Sequence, residues 1–310
     1  MTILVTGANG NIGWYVVESL KRAHPTAEVV AATRADADLI DNGATRELLK
    51  LVKPEYVVHT AAKPYNADVF RNRPYDVFTE DVTMCMNVLD GCIDEGVKKI
   101  VLLSSATVYE GATETPFREE QTETSPPPAS PIGLSKLANE RGIMFASKQH
   151  DIDFTVWRLF NVVSPREPHD KPGAHVYVDF YRQLFVEKVS ELPIFGNGNQ
   201  ERCFTWVEDV ADAIAGYLTD ERTSKQTINI GGNEPLTLFR LREMMLAIGK
   251  EKDLLASDYD PPAKSGGQFS GVDSQRRIPS LERVEALLGW KPRTDARACM
   301  EKFIDAKTNV

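Results

Sequence analysis

Glycines at positions 7, 10 and 13 form a Gly-x-x-Gly-x-x-Gly repeat near the start of the chain, within Val5-Thr6-Gly7-Ala8-Asn9-Gly10-Asn11-Ile12-Gly13. Glycine permits positive φ and leaves no Cβ between the backbone and a ligand. Free N–H groups and the helix dipole favour negative charge at a helix N-terminus. The repeat therefore indicates a pyrophosphate-binding turn, with a plain strand–turn–helix corner as the alternative. Its spacing differs from the commoner Gly-x-Gly-x-x-Gly.

Such a turn needs a strand before it and a helix after it, and the flanking residues predict both. The apolar run at 3–5 is typical of a buried strand, and residues 14–22 have a helical pattern. Further along, short apolar strands alternate with amphipathic helices, which is typical of a parallel sheet covered on both faces. We expect strands at 28–33, 56–60, 99–103, 154–160 and 227–230, with helices at 45–52, 75–95, 132–149, 208–218, 237–250 and 281–288. Residues 193–199 resemble a hairpin, and 257–271 resemble a loop.

The bulk composition excludes several classes of partner. The 310 residues carry a net charge of −9 and no basic tract, which argues against nucleic acid and anionic membranes. No apolar run approaches the ~18 residues of a membrane span, and no signal-type segment is recognisable. The four scattered cysteines give no metal-binding spacing, so we expect reduced thiols, no metal site and a cytoplasmic protein.

Several further segments, in this order, give the chain a family resemblance over nearly its whole length. Beside the glycine turn, they are Val58-His59-Thr60-Ala61-Ala62, Ser104-Ser105-Ala106-Thr107-Val108-Tyr109, Ser135-Lys136, Arg158-Leu159-Phe160-Asn161-Val162, Arg202-Cys203-Phe204-Thr205-Trp206-Val207-Glu208-Asp209-Val210, Asn229-Ile230-Gly231 and Leu288-Gly289-Trp290-Lys291-Pro292. The chain resembles the extended short-chain dehydrogenase/reductase family of nucleotide-sugar epimerases, dehydratases and reductases. The resemblance implies an α/β fold, a doubly wound parallel sheet of Rossmann type with a smaller C-terminal substrate domain. Residues 1–163 and 201–232 would bind the dinucleotide, and 164–200 and 233–310 the substrate.

The catalytic residues that the resemblance implies are present except for one. In the family, hydride passes between a sugar carbon and a nicotinamide, supported by a Tyr-x-x-x-Lys pair and a Ser or Thr that holds the sugar oxygen. The lysine corresponds to Lys136 and the hydroxyl to Ser105, but Ile132 stands four residues before Lys136, where the tyrosine belongs. Isoleucine carries no titratable proton, so the chain resembles an atypical member of the family.

Three interpretations of this departure remain open. The first is an epimerase or reductase with an altered acid/base residue, and the candidates are Tyr109, Glu110, His175, Tyr177 and Cys85. Of these, Tyr109 belongs to the family's strand-end pattern, which also favours simple packing. The second is hydride transfer without that proton relay, or with water in its place. The third is a catalytically silent regulatory module that binds NAD(P) or a nucleotide sugar. Ala106-Thr107 replace the Asp-Glu pair of the family's dehydratases, which argues against dehydration.

The cofactor residues come from the glycine turn, from the ends of the predicted strands at 28–33 and 56–60 and, for Asp38, Leu39 and Lys136, from the family resemblance. Thr33 and Arg34 lie about 20 residues past the glycines, where NAD-binding proteins place an acidic residue. A guanidinium suits a 2′-phosphate, which favours NADP as the cofactor, with NAD as the alternative. The expected cofactor-binding residues are Gly7, Asn9, Gly10, Asn11, Ile12, Gly13, Thr33, Arg34, Asp38, Leu39, Ala61, Ala62 and Lys136.

The substrate residues come from the resemblance and from the need for local positive charge. Asn161 and Arg202 occupy the positions at which the family binds the sugar diphosphate, Ser105 would hold the sugar oxygen, and Lys264 and Arg276 could add charge. The partner implied is a nucleotide sugar. The family's usual pairing through two helices implies a homodimer formed here by residues 76–95 and 134–149.

Overall fold

A six-stranded parallel sheet forms the centre of the protein in the computed structural model, which describes residues 1–63, 69, 72–169, 175–267 and 274–308. In chain order, the strands are β1 (Thr2–Thr6), β2 (Glu28–Ala32), β3 (Tyr56–His59), β4 (Lys99–Ser105), β5 (Asp153–Leu159), β6 (Val162–Val163), β7 (Leu192–Phe195), β8 (Glu201–Cys203), β9 (Thr205–Trp206), β10 (Gln226–Ile230), β11 (Pro235–Thr237), β12 (Ala263–Gly267) and β13 (Arg276–Arg277). The α-helices are α1 (Gly13–Ala23), α2 (Asn42–Val52), α3 (Pro74–Asp94), α4 (Gln121–Thr124), α5 (Pro131–His150), α6 (Val176–Tyr181), α7 (Val207–Gly216), α8 (Leu238–Glu251), α9 (Glu282–Leu288) and α10 (Ala296–Thr308).

The strand order places a topological switch point beside β1. The order across the sheet is β10-β5-β4-β3-β1-β2, so the chain runs outward from β1 to β2 and then returns to β3 on the other side. Ligands of open parallel sheets bind outside the carboxyl ends of the strands at such a point. The glycine turn follows β1, and Ala61 follows β3, so both lie at this crevice.

Both faces of the sheet are covered, which explains the continuous apolar runs in the middle of strands such as β1 and β4. Ile3 and Val5 face one core with residues of α1 and α7, whereas Leu4 faces a second core with residues of α2, α3 and α5. Successive strand residues point to opposite faces, so a continuous apolar run is buried on both sides. This arrangement confirms the doubly wound α/β fold.

The remainder of the chain packs around a separate core. Its small sheets have the orders β11-β8-β13, β12-β7 and β6-β9. Tyr177 of α6, Leu241 and Met245 of α8, and Phe303 of α10 are buried together in this core. The aromatic rings of Tyr177 and Phe303 meet edge to face at 4.9 Å, so α6 and α10 are in direct contact.

Three local expectations differ from the structure. Residues 263–267 form β12 rather than a loop, and β12 pairs with β7, so 193–199 is not a hairpin. Helices α4, α6 and α10 were not predicted. Residues 263–267 read Ala-Lys-Ser-Gly-Gly and have no alternating apolar pattern, so their strand conformation depends on pairing with a distant segment.

No membrane-spanning helix is found in the part of the chain that the structure describes. The four cysteines are buried and unbridged. Within the same ranges, His, Cys, Asp and Glu side chains form no group of three that could hold a metal ion.

Candidate functional site

The glycine turn after β1 packs directly against the backbone that follows β3. Gly7 has φ of 72°, and a Cβ built on it would lie 2.6 Å from the Cα of Ala61. A Cβ on Gly13 would lie 2.2 Å from the Gly7 carbonyl oxygen and 2.6 Å from the Thr60 hydroxyl oxygen. Both contacts are far closer than real Cβ atoms tolerate. Gly7 and Gly13 are therefore required by the contact between these two segments.

Gly10 differs from the other two glycines, because a Cβ there would meet only the Gly7 carbonyl oxygen, at 3.1 Å. Helix α1 starts three residues later, with Ile12 as its N-cap residue. No side chain caps this helix start, and its first turn contains no acidic residue. Together, the turn and the helix start offer backbone N–H donors and a positive dipole end, which fit the phosphates of a dinucleotide.

The end of β2 presents an arginine to solvent, beside an aspartate, Asp36, that is bound by Thr33. Asp36 accepts hydrogen bonds from the Thr33 backbone N–H and hydroxyl, at 2.8 and 2.9 Å. These bonds lower the pKa of Asp36, the backbone bond being the larger cause. Arg34 has a 77% exposed side chain and approaches Asp38 only to 3.5 Å. Asp38 also accepts from the backbone N–H of Ile40, and the next residue, Leu39, is buried.

Lys136 lies in α5 and forms a buried ion pair with a residue of α3. Its Nζ is 2.8 Å from Oδ1 of Asp81, which is only 2% exposed. The Ser135 hydroxyl and the Asn139 amide nitrogen lie 2.9 and 3.0 Å from the other carboxylate oxygen. Asp81 is thus held by three side chains of α5, and it in turn fixes the position of Lys136.

His59 and Cys85 adjoin this ion pair and are both uncharged at neutral pH. Burial, assisted by the positive charge of Lys136, lowers the pKa of His59 to about 4, and its Nδ1 lies 2.8 Å from the Thr6 hydroxyl. Burial raises the pKa of the Cys85 thiol to about 12. A thiol with such a pKa is a poor acid/base group at neutral pH.

Ser105 and Ile132 lie where the end of β4 meets the start of α5. The Ser105 hydroxyl accepts from the Thr107 backbone N–H at 3.2 Å, which leaves its own proton available to a ligand. Ile132 is half-buried and stands one helical turn before Lys136. Glu110 accepts hydrogen bonds from the backbone and hydroxyl of Ser130, at 3.0 and 2.6 Å, and so anchors the start of α5.

Tyr109 is enclosed in a packed network rather than directed at the crevice. Its side chain is only 1% exposed and stacks on Phe117 with ring centroids 4.9 Å apart. Its hydroxyl donates to Asn229 and accepts from Arg158, both at 2.7 Å. Burial raises its pKa, which outweighs the opposing effect of Arg158. These contacts hold Tyr109 as a packing residue, so the geometry gives no support to its expected catalytic role.

His175 is connected to the glycine turn by a chain of hydrogen bonds. Its Nδ1 lies 2.6 Å from Glu167, whose other carboxylate oxygen accepts from Tyr177 at 2.6 Å. The Tyr177 hydroxyl accepts from the Ser164 backbone N–H, and the Ser164 hydroxyl donates to the Asn11 carbonyl at 2.8 Å. Desolvation lowers the pKa of His175, but the Glu167 carboxylate outweighs it and the net pKa is raised. Burial raises the pKa of Tyr177 well above its usual value.

Apart from Ser105, the residues expected to bind substrate fall into two groups: Asn161, Arg202 and Arg276 lie at or next to β8, and Lys264 lies on β12. Asn161 follows β5 in a left-handed conformation, with φ of 38°, and donates to the Cys203 carbonyl at 3.1 Å. Arg202 and Arg276 lie on the paired strands β8 and β13, where Arg276 forms an ion pair with Glu201. Lys264 lies on β12 in a different sheet and pairs with Glu191, at 3.1 Å.

Three residues join the site that sequence reasoning did not include. Asp81 neutralises Lys136, Asp36 binds Thr33, and Arg277 lies opposite Arg202 in the register of β13 and β8. No motif in the sequence pointed to Asp81. The Arg276-Arg277 pair was the sequence signal for Arg277.

Comparisons with known proteins agree with this geometry. Residues 3–231 match the family described as "NAD dependent epimerase/dehydratase family". The chain is 27% identical to the GDP-L-fucose synthase of Sinorhizobium fredii, covering 98% of this chain and 94% of that protein. It is also 27% identical to the UDP-glucose 4-epimerase of Lacticaseibacillus casei, covering 100% and 96%. The crystal structure of a Thermotoga maritima UDP-glucose 4-epimerase with UDP-glucose superposes with a TM-score of 0.84 at 25% identity, covering 100% and 99%.

We expect Gly13→Ala to destabilise the protein by about 2 kcal/mol or more, because the added methyl group overpacks the Gly7 and Thr60 contacts. Gly216→Ala is the matched control, since no atom lies within 4 Å of its added Cβ. We expect that control to be neutral or stabilising by up to about 1 kcal/mol. Urea denaturation measures both, and equal stabilities would contradict the proposed contact.

Protonation of His59 gives a second prediction, for the acid dependence of stability. The unfolded imidazole gains a proton below about pH 6.5, whereas the buried ring resists protonation until about pH 4. The His59 contribution therefore falls by about 3 kcal/mol as the pH is lowered from 6.5 to 4. His59→Gln should flatten this part of the stability curve, and His150→Gln, on the exposed end of α5, should not. Parallel curves for the wild type and His59→Gln would refute the assignment.

Proposed function

The chain belongs to the NAD dependent epimerase/dehydratase family, and from this membership we propose that it is an NAD(P)-dependent epimerase or reductase of a nucleotide sugar. One observation carries the proposal. The glycine turn, Ser105 and the Asp81–Lys136 pair follow or adjoin strands that end at one edge of the sheet, beside the switch point. Such an edge brings a dinucleotide and a small polar substrate together.

The bound nicotinamide would supply the hydride, and the surrounding side chains would bind and orient. The glycine turn and the start of α1 hold the phosphates, Lys136 holds the nicotinamide ribose, and Ser105 holds the reacting sugar oxygen. Arg202, with Arg277 in register beside it, provides positive charge for the sugar diphosphate in a protein that is acidic overall.

We assign the altered acid/base role to His175. Cys85, Tyr109 and Tyr177 are buried and have raised pKa values, so they do not exchange protons readily near neutrality. Glu110 is engaged by Ser130 at the start of α5. The neighbouring Glu167 carboxylate raises the pKa of His175, and an imidazole can both give and accept a proton. A chain of hydrogen bonds connects His175 to Asn11 in the glycine turn, and Glu167 would orient the ring.

The experiment that tests the function is turnover with a panel of UDP-, GDP-, dTDP- and CDP-sugars and their keto derivatives. We expect epimer formation or NAD(P)H oxidation with at least one of them. Tight binding of NADP and of a nucleotide sugar without turnover would instead support the silent binding module. Failure to bind either dinucleotide would refute the proposed function altogether.

With the active substrate identified, we expect His175→Gln to lower kcat by about 100-fold or more, because proton transfer loses its acid/base group. The Kd for NADPH should change less than threefold. His150→Gln removes an imidazole at the far end of α5 and serves as the matched control. An unchanged kcat in His175→Gln would remove His175 from the reaction.

The preferred cofactor is proposed to be NADP, because Arg34 is exposed at the end of β2 and Asp36 is turned toward Thr33. We expect Arg34→Ala to raise the Kd for NADP about 10- to 100-fold, which corresponds to loss of a charge-assisted contact. The Kd for NAD should stay the same. Arg46→Ala, which removes an exposed arginine paired with Asp94, is the control for lost positive charge. Equal losses for NAD and NADP would contradict recognition of the 2′-phosphate.

We further propose a cytoplasmic homodimer. Tyr75 of α3 and Phe145 of α5 expose 76% and 69% of their surface, and Leu134 of α5 is also exposed. These side chains lie on the two helices that the family resemblance assigns to the subunit interface. Free, buried cysteines agree with a reducing compartment.

A further inference from the structure

The ion pair between Asp81 and Lys136 is more enclosed than a solvent-exposed salt bridge. Asp81 is 2% exposed, and the Lys136 side chain is 11% exposed. Both carboxylate oxygens are contacted, one by Lys136 and the other by Ser135 and Asn139. Removal of one partner of a buried pair leaves an uncompensated charge, which is strongly unfavourable.

Among the described groups around this ion pair, Asp81 is the one that balances the positive charge of Lys136. His59 of β3 is neutral at pH 7 because its pKa is about 4, and the Cys85 thiol of α3 is neutral because its pKa is about 12. Glu80, the residue before Asp81, forms its own ion pair with Lys63 at 2.7 Å. Ile132, one turn before Lys136, supplies no negative charge. Asp81 is therefore the carboxylate that compensates Lys136.

We propose that Asp81 is a positioning residue that neutralises the charge of Lys136. This neutrality allows the site to hold the oxidised, positively charged nicotinamide. This inference rests on the proposed function, in which Lys136 holds the nicotinamide ribose. A chain with tyrosine at position 132 could balance the lysine with a phenolate on the substrate side. Here Asp81 of α3 supplies the balancing charge, on the buried side of Lys136.

Without Asp81, the positive charge of Lys136 should affect the binding of NADP⁺ and NADPH differently. The oxidised nicotinamide ring carries one positive charge that the reduced ring lacks. An uncompensated ammonium within several ångströms therefore repels NADP⁺ and leaves NADPH almost unaffected. A purely structural role for Asp81 would weaken the binding of both forms equally.

The experiment measures the Kd of NADP⁺ by calorimetry and that of NADPH by its fluorescence, at pH 7 on the full-length protein. In Asp81→Asn, we expect NADP⁺ binding to weaken about tenfold or more relative to NADPH binding. In Asp81→Asn/Lys136→Met, the charge is again balanced, and the ratio of the two Kd values should return to within threefold of the wild type. Asn139→Ala removes a hydrogen bond to the same carboxylate without a change in charge, so it should leave the ratio unchanged.

Lys136→Met alone keeps the test decisive if Asp81→Asn does not fold. It leaves the negative charge of Asp81 uncompensated, so it should strengthen NADP⁺ binding relative to NADPH binding. Equal weakening of both forms in Asp81→Asn, or in Lys136→Met where only that variant folds, would overturn the proposal. A skewed ratio that persists in the double variant would overturn it as well. If the wild type binds neither NADP⁺ nor NADPH, the proposed function fails and this inference fails with it. Normal wild-type binding with an unchanged ratio in the variants refutes the charge role only.

Discussion

The close contact between the glycine turn after β1 and the backbone after β3 is the constraint on which the site depends. Gly7 and Gly13 allow the Gly7 carbonyl, Thr60 and Ala61 to meet at distances that exclude a Cβ. The Thr60 hydroxyl donates to the Thr6 carbonyl at 2.7 Å and joins the two strand ends. Because this contact fixes where α1 begins, it also fixes the uncapped helix start at the switch point of the sheet.

Buried charges in this protein occur in pairs that join one element to another. Asp81 and Lys136 join α3 to α5, and Arg158 of β5 is bound by both carboxylate oxygens of Glu140 in α5, at 2.7 and 3.0 Å. Arg158 also donates to the Tyr109 hydroxyl and to the Glu119 carbonyl. Burial makes each pair sensitive to loss of a partner, so each pair fixes the arrangement of the two elements that it joins.

The segment that follows β6 contacts the glycine turn. Ser164 donates to the Asn11 carbonyl, and Arg166 reaches the Asn9 carbonyl at 3.4 Å while it lies over the Trp14 ring. Glu167 then links this segment to His175 and Tyr177, and Lys307 of α10 donates to the Glu167 carbonyl. The segment that leaves β6 therefore carries both a contact to the turn and the imidazole to which we assign proton transfer.

The sequence by itself determined the parallel α/β sheet, the glycine turn and the isoleucine at position 132, because local periodicity and motif spacing encode them. It did not predict β12 or α10. The pairing of β12 with β7 links residues about 70 apart, and no local pattern specifies such a partner. The folded chain alone showed which residues surround Tyr109, that Asp36 turns toward Thr33 and that Asp81 neutralises Lys136. Each of these depends on which side chains converge in space, and for Tyr109 and Asp81 the partners come from elements far apart in the sequence.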